Sequence, residues 1–408
     1  MKIGFYVGKL SSSGVGSYTI CIIKMLVKDD NVHKVILIVD EGGCNNINSI
    51  FDNNNKIEVI ELRNSKLRKV FTGLNKLFYF LDKTKSINVS RFANLIAVFD
   101  PFRNAVDSLQ IDICHVPMQT APGYNMKTPL VISMHDLQEL HYPAFFSPRE
   151  RMLRALNYMR AIELANHIVV SFNHVRNDII TFFAVPKSKV SVCPPDFGKY
   201  WVGDSKHSDQ NKLEKKYSLP NSFIFFPAQL WKHKNHQILF KALVILKERK
   251  VSILLVCTGK KDGFYQELWK HVNKLNLTDQ VKFIGNVSNE DLNGLYKMAR
   301  LVVIPTLYEA GSGPLFEAMY HGTPVICSNV TSLPESIGYD EFIFDPLNEI
   351  EIANLIEKGC FDNEFREKNI ENSQKRIQIL SQSNSSSNFI EAYNKAIDSK
   401  LNNNRHFQ

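Results

Sequence analysis

The chain has 408 residues, enough for two domains with separate cores, and its 44% hydrophobic and 22% charged residues are ordinary for a globular protein. No apolar run approaches the roughly 20 residues that a membrane-spanning helix needs, and the amino terminus shows no signal-peptide pattern. The net charge of +8 is uneven, because residues 1–200 hold 24 Lys/Arg against 17 Asp/Glu. This excess predicts an acidic partner for the first half, and we expect no nucleic-acid partner.

The seven cysteines are scattered and form no close pair. This pattern predicts reduced, mostly structural thiols in a cytoplasmic protein. No ligand pair has the usual zinc spacing, so the sequence predicts no metal site.

Short β-rich runs alternate with helical patterns, which predicts parallel sheets covered by helices on both faces. The predicted strands of the first half are Lys2–Val7, Val35–Val39, Lys56–Ile60, Ile113–Val116, Leu130–Met134, His167–Val170 and Lys189–Cys193. Those of the second half are Phe223–Phe226, Ile253–Thr258, Val281–Ile284, Leu301–Ile304, Pro324–Cys327 and Phe342–Phe344.

The stretch 194–222 is rich in proline and polar residues, which predicts a linker between two domains. We therefore predict an α/β fold of two doubly wound, Rossmann-like domains, residues 1–200 and 201–380, facing across a cleft. Ligands of such domains bind at the carboxyl ends of the strands. Residues 381–408 are predicted as a flexible connector, Ser381–Asn388, and a final helix, Phe389–Leu401, that packs back on the first domain.

Two segments of the first half carry candidate site residues. Gly14 and Gly16 follow the first strand and lead into a predicted helix, Tyr18–Val27, so they either cradle a phosphate or form an ordinary turn. His135 ends an apolar strand, where it either donates to a sugar hydroxyl or leaving group or is satisfied by a neighbouring backbone carbonyl. His141 could simply line a loop.

Residues 66–85 combine basic residues with an apolar stripe at helical spacing. The stripe consists of Leu67, Val70, Phe71, Leu74, Leu77, Phe78 and Leu81. Two alternatives remain equal at this point: a helix that lies on an anionic membrane surface, or an amphipathic helix whose apolar face packs on its own sheet.

The second half contains polar segments that follow two of its strands. Lys232 and Lys234 come just after the strand Phe223–Phe226, where ammonium groups can neutralise a diphosphate. Gly285, Asn286 and Val287 follow another strand and offer backbone groups to a nucleobase.

Two glutamates separated by seven residues, Glu309 and Glu317, make the most informative motif. They lie in a strand–turn–helix segment whose start offers N–H groups and a positive dipole end to an anion. Carboxylates instead accept hydrogen bonds from sugar or ribose hydroxyls. The segment therefore predicts a pocket for a ligand that is part phosphate and part polyol. The candidate residues of its turn and helix start are Gly311, Ser312, Gly313, Pro314 and Leu315.

Together these segments resemble the retaining glycosyltransferases of family 4, which have the GT-B fold. The glutamate motif is followed by Ala318–Ile326 and Ser332–Glu335, as in that family. The resemblance implies that Glu309 holds donor-sugar hydroxyls, Glu317 the ribose, and Lys234 with the amides near Gly313 the diphosphate. It also implies that His135 is the acceptor-domain histidine near the sugar and that Gly16 belongs to the first glycine-rich loop. The sequence departs from the family at Gln229, where an arginine is usual, and at Ala310 and Ser312, where glycine is frequent.

The implied activity is retaining transfer of a hexose, such as mannose or glucose, from a GDP- or UDP-linked sugar. The nucleotide sugar is the donor substrate, and neither a metal nor another cofactor is expected. The basic, amphipathic first half predicts that the acceptor is a glycan or lipid-linked glycan of a cell-surface polysaccharide, with the enzyme in the cytoplasm or peripheral at the inner face of the membrane. The alternatives are a nucleotide-sugar epimerase of the same fold and a non-catalytic sugar-nucleotide-binding protein.

Overall fold

The structure is a computed structural model that describes residues 1–10, 14–43, 47–51, 54–63, 65–83, 97–198, 201, 207–382 and 385–405. The chain divides into two compact units, Met1–Asp196 with Asn384–Gln408, and Phe197–Ser383. In the described part of the chain, none of the helices combines the length and apolar character that crossing a membrane requires.

The first unit is built on a parallel sheet of seven described strands in the order β3-β2-β1-β4-β5-β6-β7. The strands are β1 Lys2–Gly8, β2 Lys34–Asp40, β3 Ile57–Leu62, β4 Ile113–Val116, β5 Leu130–Ser133, β6 His167–Val170 and β7 Val190–Val192. The described helices are Gly14–Leu26, Ile47–Ile50, Ser65–Lys83, Pro101–Ser108, Gln138–His141, Pro148–Leu164, Asn173–Phe183 and Ser385–Arg405, with short 3₁₀ turns at Pro143–Phe145 and Lys187–Lys189. The strand order reverses between β1 and β4, which is where ligands of doubly wound sheets bind.

The helix Ser385–Arg405 belongs to this first unit, where it contacts β4 to β7 and the helix Gly14–Leu26. Its buried residues Phe389, Ala392, Tyr393 and Ala396 recur at helical spacing and form one apolar stripe. Burial of that stripe explains why the last part of the chain returns to the first sheet.

The second unit has a parallel sheet of six described strands in the order β10-β9-β8-β11-β12-β13. The strands are β8 Ile224–Phe226, β9 Leu255–Thr258, β10 Val281–Gly285, β11 Leu301–Ile304, β12 Val325–Ser328 and β13 Ile343–Phe344. The described helices are Gln210–Tyr217, His236–Glu248, Gly263–Lys274, Asn289–Met298, Gly313–Tyr320, Leu333–Ile337, Glu349–Phe361 and Asn363–Gln382, with 3₁₀ turns at Lys232–Lys234 and Asp340–Phe342. Here the order reverses between β8 and β11.

The predicted α/β architecture is confirmed, and each of the thirteen predicted strands is present with ends that differ by at most two residues. The predicted linker 194–222 contains the division between the two units, after Asp196. It also contains the helix Gln210–Tyr217, which Asp209 caps and of which only Leu213 is buried, so this helix has little apolar periodicity to reveal it. One local prediction is wrong, because the predicted flexible connector is helical at Ser381–Gln382 and Ser385–Asn388.

The basic segment forms the helix Ser65–Lys83, and part of its apolar stripe is exposed. Arg68, outside the stripe, is buried and donates to the Asp40 carboxylate at 2.7 Å. Leu67, Val70 and Leu77 are about half exposed, at 47%, 56% and 50%. The expectation that the whole stripe packs on its own sheet is therefore wrong for these three residues.

Candidate active site

The candidate donor site lies at the switch point of the second sheet. β8 and β11 are adjacent, and each is followed by a segment that carries a predicted site residue, Lys234 after β8 and Glu309 after β11. Because parallel strands end at the same edge, these two residues meet although 75 positions separate them in the chain.

Lys234 and Glu309 form an ion pair, in which the Lys234 Nζ donates to Oε2 of Glu309 at 2.6 Å. Their side chains are only 14% and 12% exposed. The sequence predicted both residues but assigned them to different parts of a ligand and did not predict their contact. Each of these two charges is balanced by the other.

Backbone contacts hold the two segments of this pair together. The carbonyl of His233 accepts hydrogen bonds from the Leu307 N–H at 2.8 Å and the Thr306 hydroxyl at 3.1 Å. Asn235, at φ +58°, donates from its amide to the carbonyls of Pro305 and Pro346. The position of Lys234 is therefore set by a turn that is tied to the loop after β11.

Glu309 is fixed from its other side by two hydroxyls. The Thr331 Oγ1 accepts from the Glu309 N–H at 3.0 Å, and the Ser332 hydroxyl donates to the Glu309 carbonyl at 2.7 Å. The backbone of Glu309 is thus held in place, which leaves only its side-chain torsions to adapt to a ligand.

The turn after Glu309 leads into the helix Gly313–Tyr320. Ser312 is buried and caps the helix, because its hydroxyl accepts from the Leu315 N–H at 3.4 Å. Pro314 stands in the first turn, where its lack of an N–H costs nothing. A serine at position 312, where the family often has glycine, is therefore compatible with the helix start that the predicted anion site requires.

Gly313 has a second role, because a Cβ there would lie 3.3 Å from the Trp201 ring. The missing side chain lets the indole approach the start of the helix. Trp201 lies in the predicted linker, and no sequence pattern connects it to the site.

Glu317 lies on the same helix and is bound by aromatic donors. The Tyr296 hydroxyl donates to its Oε2 at 2.7 Å, and the Trp201 side chain forms a second hydrogen bond with the carboxyl group. Burial of the carboxylate raises the pKa of Glu317, and these two hydrogen bonds partly oppose that effect. The carboxylate has roughly four lone-pair positions, so two remain for ligand hydroxyls.

Gln229 is an uncharged residue at the position where the family usually has an arginine. The Gln229 Oε1 accepts from the Lys260 N–H at 3.1 Å, so this side chain ties the loop after β8 to the loop after β9. Lys232 is exposed and Lys234 is partly buried. Two lysines on one turn are therefore the cations nearest in sequence to the missing arginine.

The predicted nucleobase loop begins at the end of β10. Gly285 has φ +80°, a left-handed conformation that favours glycine, and its carbonyl accepts from the Gly259 N–H at 3.1 Å. Asn286 is exposed and Val287 is partly exposed. This loop follows the outer strand of the sheet, so it extends the edge that carries Lys234 and Glu309.

In the first unit, Gly14 and Gly16 form the first turn of the helix Gly14–Leu26. His135 follows β5, and its Nε2 lies 3.0 Å from the carbonyl of Pro117, which follows β4. This contact corresponds to the second alternative predicted for His135, in which the imidazole forms a hydrogen bond with a neighbouring backbone carbonyl. Burial lowers the pKa of His135, outweighing the effects of the Pro117 carbonyl and of Asp136.

The proton on His135 can be placed from this contact. A carbonyl only accepts, so Nε2 carries the hydrogen, and Nδ1 of the neutral ring is an acceptor. The geometry therefore disfavours the predicted role as a donor and suits acceptance of a hydroxyl hydrogen. The role of His135 toward a sugar itself stays a prediction.

A buried chain of polar groups that the sequence did not predict runs behind His135. Tyr393 contacts Nδ1 of His115 at 2.8 Å, and Nε2 of His115 contacts the Ser133 hydroxyl at 2.8 Å. Ser133 in turn lies 3.0 Å from the Tyr18 hydroxyl, and the Tyr18 ring packs edge-on against His135. The last helix is therefore connected to the surroundings of His135 through hydrogen bonds.

Tyr393→Phe is expected to lower the free energy of unfolding of the first unit by about 1–3 kcal/mol, because it leaves a buried ring nitrogen of His115 without its partner. The urea midpoint of the full chain measures this change. Tyr320→Phe is the matched control, since Tyr320 is 39% exposed, and we expect it to change stability by at most about 0.5 kcal/mol. Equal midpoints for the two variants would contradict the assigned network.

Two family models match this chain and together span most of it. The model described as Glycosyltransferase Family 4 matches residues 12–195, and the model described as Glycosyl transferases group 1 matches residues 209–376. Among solved structures, the chain is similar to Anabaena HepE in complex with UDP and glucose, with a TM-score of 0.66 and 18% identity over 96% of this chain and 98% of that one. A glycosyltransferase from Rickettsia africae matches with a TM-score of 0.68 and 18% identity over 97% and 98%. At this identity, the likeness is one of fold.

Curated relatives share more sequence over shorter regions. An uncharacterized glycosyltransferase of Methanocaldococcus jannaschii is 27% identical over 67% of this chain and 71% of its own. The O-antigen chain mannosyltransferase B of Escherichia coli is 27% identical over 58% and 62%, and the serotype-specific mannosyltransferase WbdA of the same species is 24% identical over 86% and 42%. The matched region spans less than two thirds of either mannosyltransferase.

The fold and the matching models define the class of protein, a glycosyltransferase of the GT-B fold. The chain belongs to glycosyltransferase family 4.

Proposed function

We propose that this glycosyltransferase moves a hexose from a GDP- or UDP-linked sugar to a hydroxyl of a glycan or lipid-linked acceptor, with retention at the anomeric carbon. The observation that carries the proposal is the nearly buried Lys234–Glu309 pair at the switch point of the second sheet. A lysine and a carboxylate held there by backbone contacts suit a ligand that has both a diphosphate and sugar hydroxyls.

In the proposed reaction, the bond between the anomeric carbon and the diphosphate oxygen breaks while a bond to the acceptor oxygen forms. The acceptor proton passes to the leaving phosphate on the same face, as the family implies. The Lys234 ammonium stabilises the charge that develops on the diphosphate, and Lys232 adds a second cation. Glu309 accepts hydrogen bonds from hydroxyls of the donor sugar, and Glu317 accepts them from the ribose.

Mannose is the proposed hexose, because two of the relatives are named as mannosyltransferases. The name of one of them, an O-antigen chain mannosyltransferase, also supports a growing surface polysaccharide as the acceptor. We propose that the charge on the diphosphate is balanced by lysines and a helix start, so that transfer needs no added divalent metal.

The test is to incubate the protein with GDP-mannose, GDP-glucose, UDP-glucose or UDP-galactose and lipid-linked oligosaccharide acceptors, and to determine the anomeric configuration of the product by NMR. We expect an α-linked product from an α-linked donor and the same initial rate with or without Mg²⁺. A product of inverted configuration, or an epimerised donor without transfer, would refute the proposal.

We further propose that the helix Ser65–Lys83 contacts an anionic membrane at its inner face, where a lipid-linked acceptor is found. The support is the exposure of Leu67, Val70 and Leu77 beside exposed Lys66 and Lys76. Apolar side chains among lysines suit an interface of acyl chains and anionic headgroups.

Leu67→Ser with Leu77→Ser is expected to reduce flotation with phosphatidylglycerol vesicles several-fold at low salt, because the variant loses apolar contact area but no charge. Leu347→Ser with Ile350→Ser is the matched control, since these residues are 71% and 58% exposed in the second unit. Flotation that is equal for wild type and both variants would refute the membrane contact.

A further inference from the structure

Two histidines and an aspartate meet outside the candidate donor site, at one place in the first unit. His174 and Asp178 lie one turn apart on the helix Asn173–Phe183, and His141 ends the short helix Gln138–His141. The Nε2 of His141 lies 2.7 Å from Oδ2 of Asp178, and the Nε2 of His174 lies 3.3 Å from the same oxygen. One ligand atom from each residue lies within 4.8 Å of the other two.

The chemistry of this set is that of a transition-metal site. Two imidazoles and one carboxylate are ligands that zinc and related divalent ions accept, with bonds of roughly 2.0–2.2 Å. Ligand atoms of such a tetrahedral site are then roughly 3.4 Å apart, close to the His174–Asp178 distance. The His141–Asp178 contact, now 2.7 Å, would lengthen by roughly 0.7 Å to reach that separation, which the place of His141 at a helix end permits.

Burial and access also suit an ion. The Asp178 side chain is 10% exposed, whereas His141 and His174 are 30% and 20% exposed. The Asp178 carboxylate is thus buried, while the two imidazoles are partly exposed to solvent. An ion could therefore reach the site from solvent and keep a water molecule as its fourth ligand. This set could not be predicted from the sequence, because His141 lies 33 positions before His174 in the chain.

We propose that His141, His174 and Asp178 form a binding site for a divalent transition-metal ion of the zinc type. The ion would link the helix Asn173–Phe183 to the segment that follows His135. Its role would be structural, because the three ligands belong to the first unit and are distinct from the Lys234–Glu309 pair. The alternative is that these groups form only a histidine–aspartate contact and bind no ion, and the experiment separates the two cases.

The full chain is freed of metal with a chelator, and Zn²⁺ is titrated in competition with a chromophoric chelator. We expect one tight equivalent for the wild type and a higher melting temperature with Zn²⁺. His174→Ala and Asp178→Asn should each weaken this equivalent by at least the 10–100-fold that loss of an outer-shell partner costs. His33→Ala is the matched control, an exposed histidine of the same unit, and should bind like the wild type.

Asp178→Asn preserves size and an acceptor oxygen, and circular dichroism of each variant shows whether it is folded. The proposal is overturned if the wild type binds no stoichiometric Zn²⁺. It is also overturned if the His174 and Asp178 variants fold and bind Zn²⁺ as tightly as the His33 variant, since the ion would then lie elsewhere. Both readouts are independent of sugar transfer, so they remain valid if the proposed activity is wrong.

Discussion

Lys234→Ala is expected to lower kcat for sugar transfer by about 10²–10³-fold, the loss found when one donor to a developing negative charge is removed. The Lys234 ammonium is held 2.6 Å from Glu309 and is mostly shielded from water, so its charge would act strongly on a departing diphosphate. The change should fall mainly on kcat, because the charge on the leaving group grows in the transition state.

The same substitution removes the partner of a nearly buried carboxylate, so a structural explanation must be separated from a catalytic one. Lys234→Ala alone should cost about 1–3 kcal/mol of stability, because Glu309 is left unpaired. Adding Glu309→Gln removes that unpaired charge and should restore much of the stability but none of the activity. Recovery of both would show that Lys234 acts only by holding the fold.

Lys241→Ala is the matched control, since this lysine is 51% exposed and is 3.9 Å from its partner Glu349. An exposed ion pair of this kind contributes little, so we expect wild-type kinetics and stability. If Lys234→Ala were as active as Lys241→Ala, the assignment of the donor site to this switch point would be wrong.

The sheets could be predicted from the sequence because each buried parallel strand is a short run of apolar residues between helical patterns. β4, β5, β6 and β11 are buried at every position, and their predicted and observed starts coincide. The helix Gln210–Tyr217 escaped prediction for the opposite reason, since a solvated helix with one buried leucine has no periodic signal.

The residues of the candidate site were predictable where they form a local motif and not where they depend on the fold. Glu309 and Glu317 are visible as a spaced pair, but Tyr296 and Trp201, which contact Glu317, occur in segments without a motif. The Lys234–Glu309 contact likewise follows from the adjacency of β8 and β11, which the sequence does not state. The charged site residues can therefore be identified in the sequence, but the residues that contact them are known only from the fold.

Glu317→Gln is expected to weaken nucleotide binding by about 10- to 100-fold, because a hydrogen bond to a charged group contributes about 1.5–3 kcal/mol and 1.4 kcal/mol is a factor of ten. Isothermal titration with GDP and UDP measures this loss. A carboxylate is charged and accepts at both oxygens, whereas an amide is neutral and accepts at only one, so the variant loses acceptor capacity for Tyr296, Trp201 and the ribose hydroxyls. Unchanged affinity for both nucleotides would remove Glu317 from the ribose site.

The pH dependence of stability gives a second test of Glu317 that needs no ligand. Its pKa is raised in the folded protein, mainly by burial, so the folded state holds this proton more tightly than the unfolded chain does. The stabilising contribution of the protonated group is complete below the unfolded pKa of about 4.3 and is lost as the pH rises through the folded pKa. The difference in unfolding free energy, wild type minus Glu317→Gln, should therefore fall as the pH rises from about 4 toward neutrality. A difference that rises with pH would mean that the hydrogen bonds from Tyr296 and Trp201 outweigh the effect of burial on the pKa of Glu317. Glu317 would then be ionised before the ribose binds.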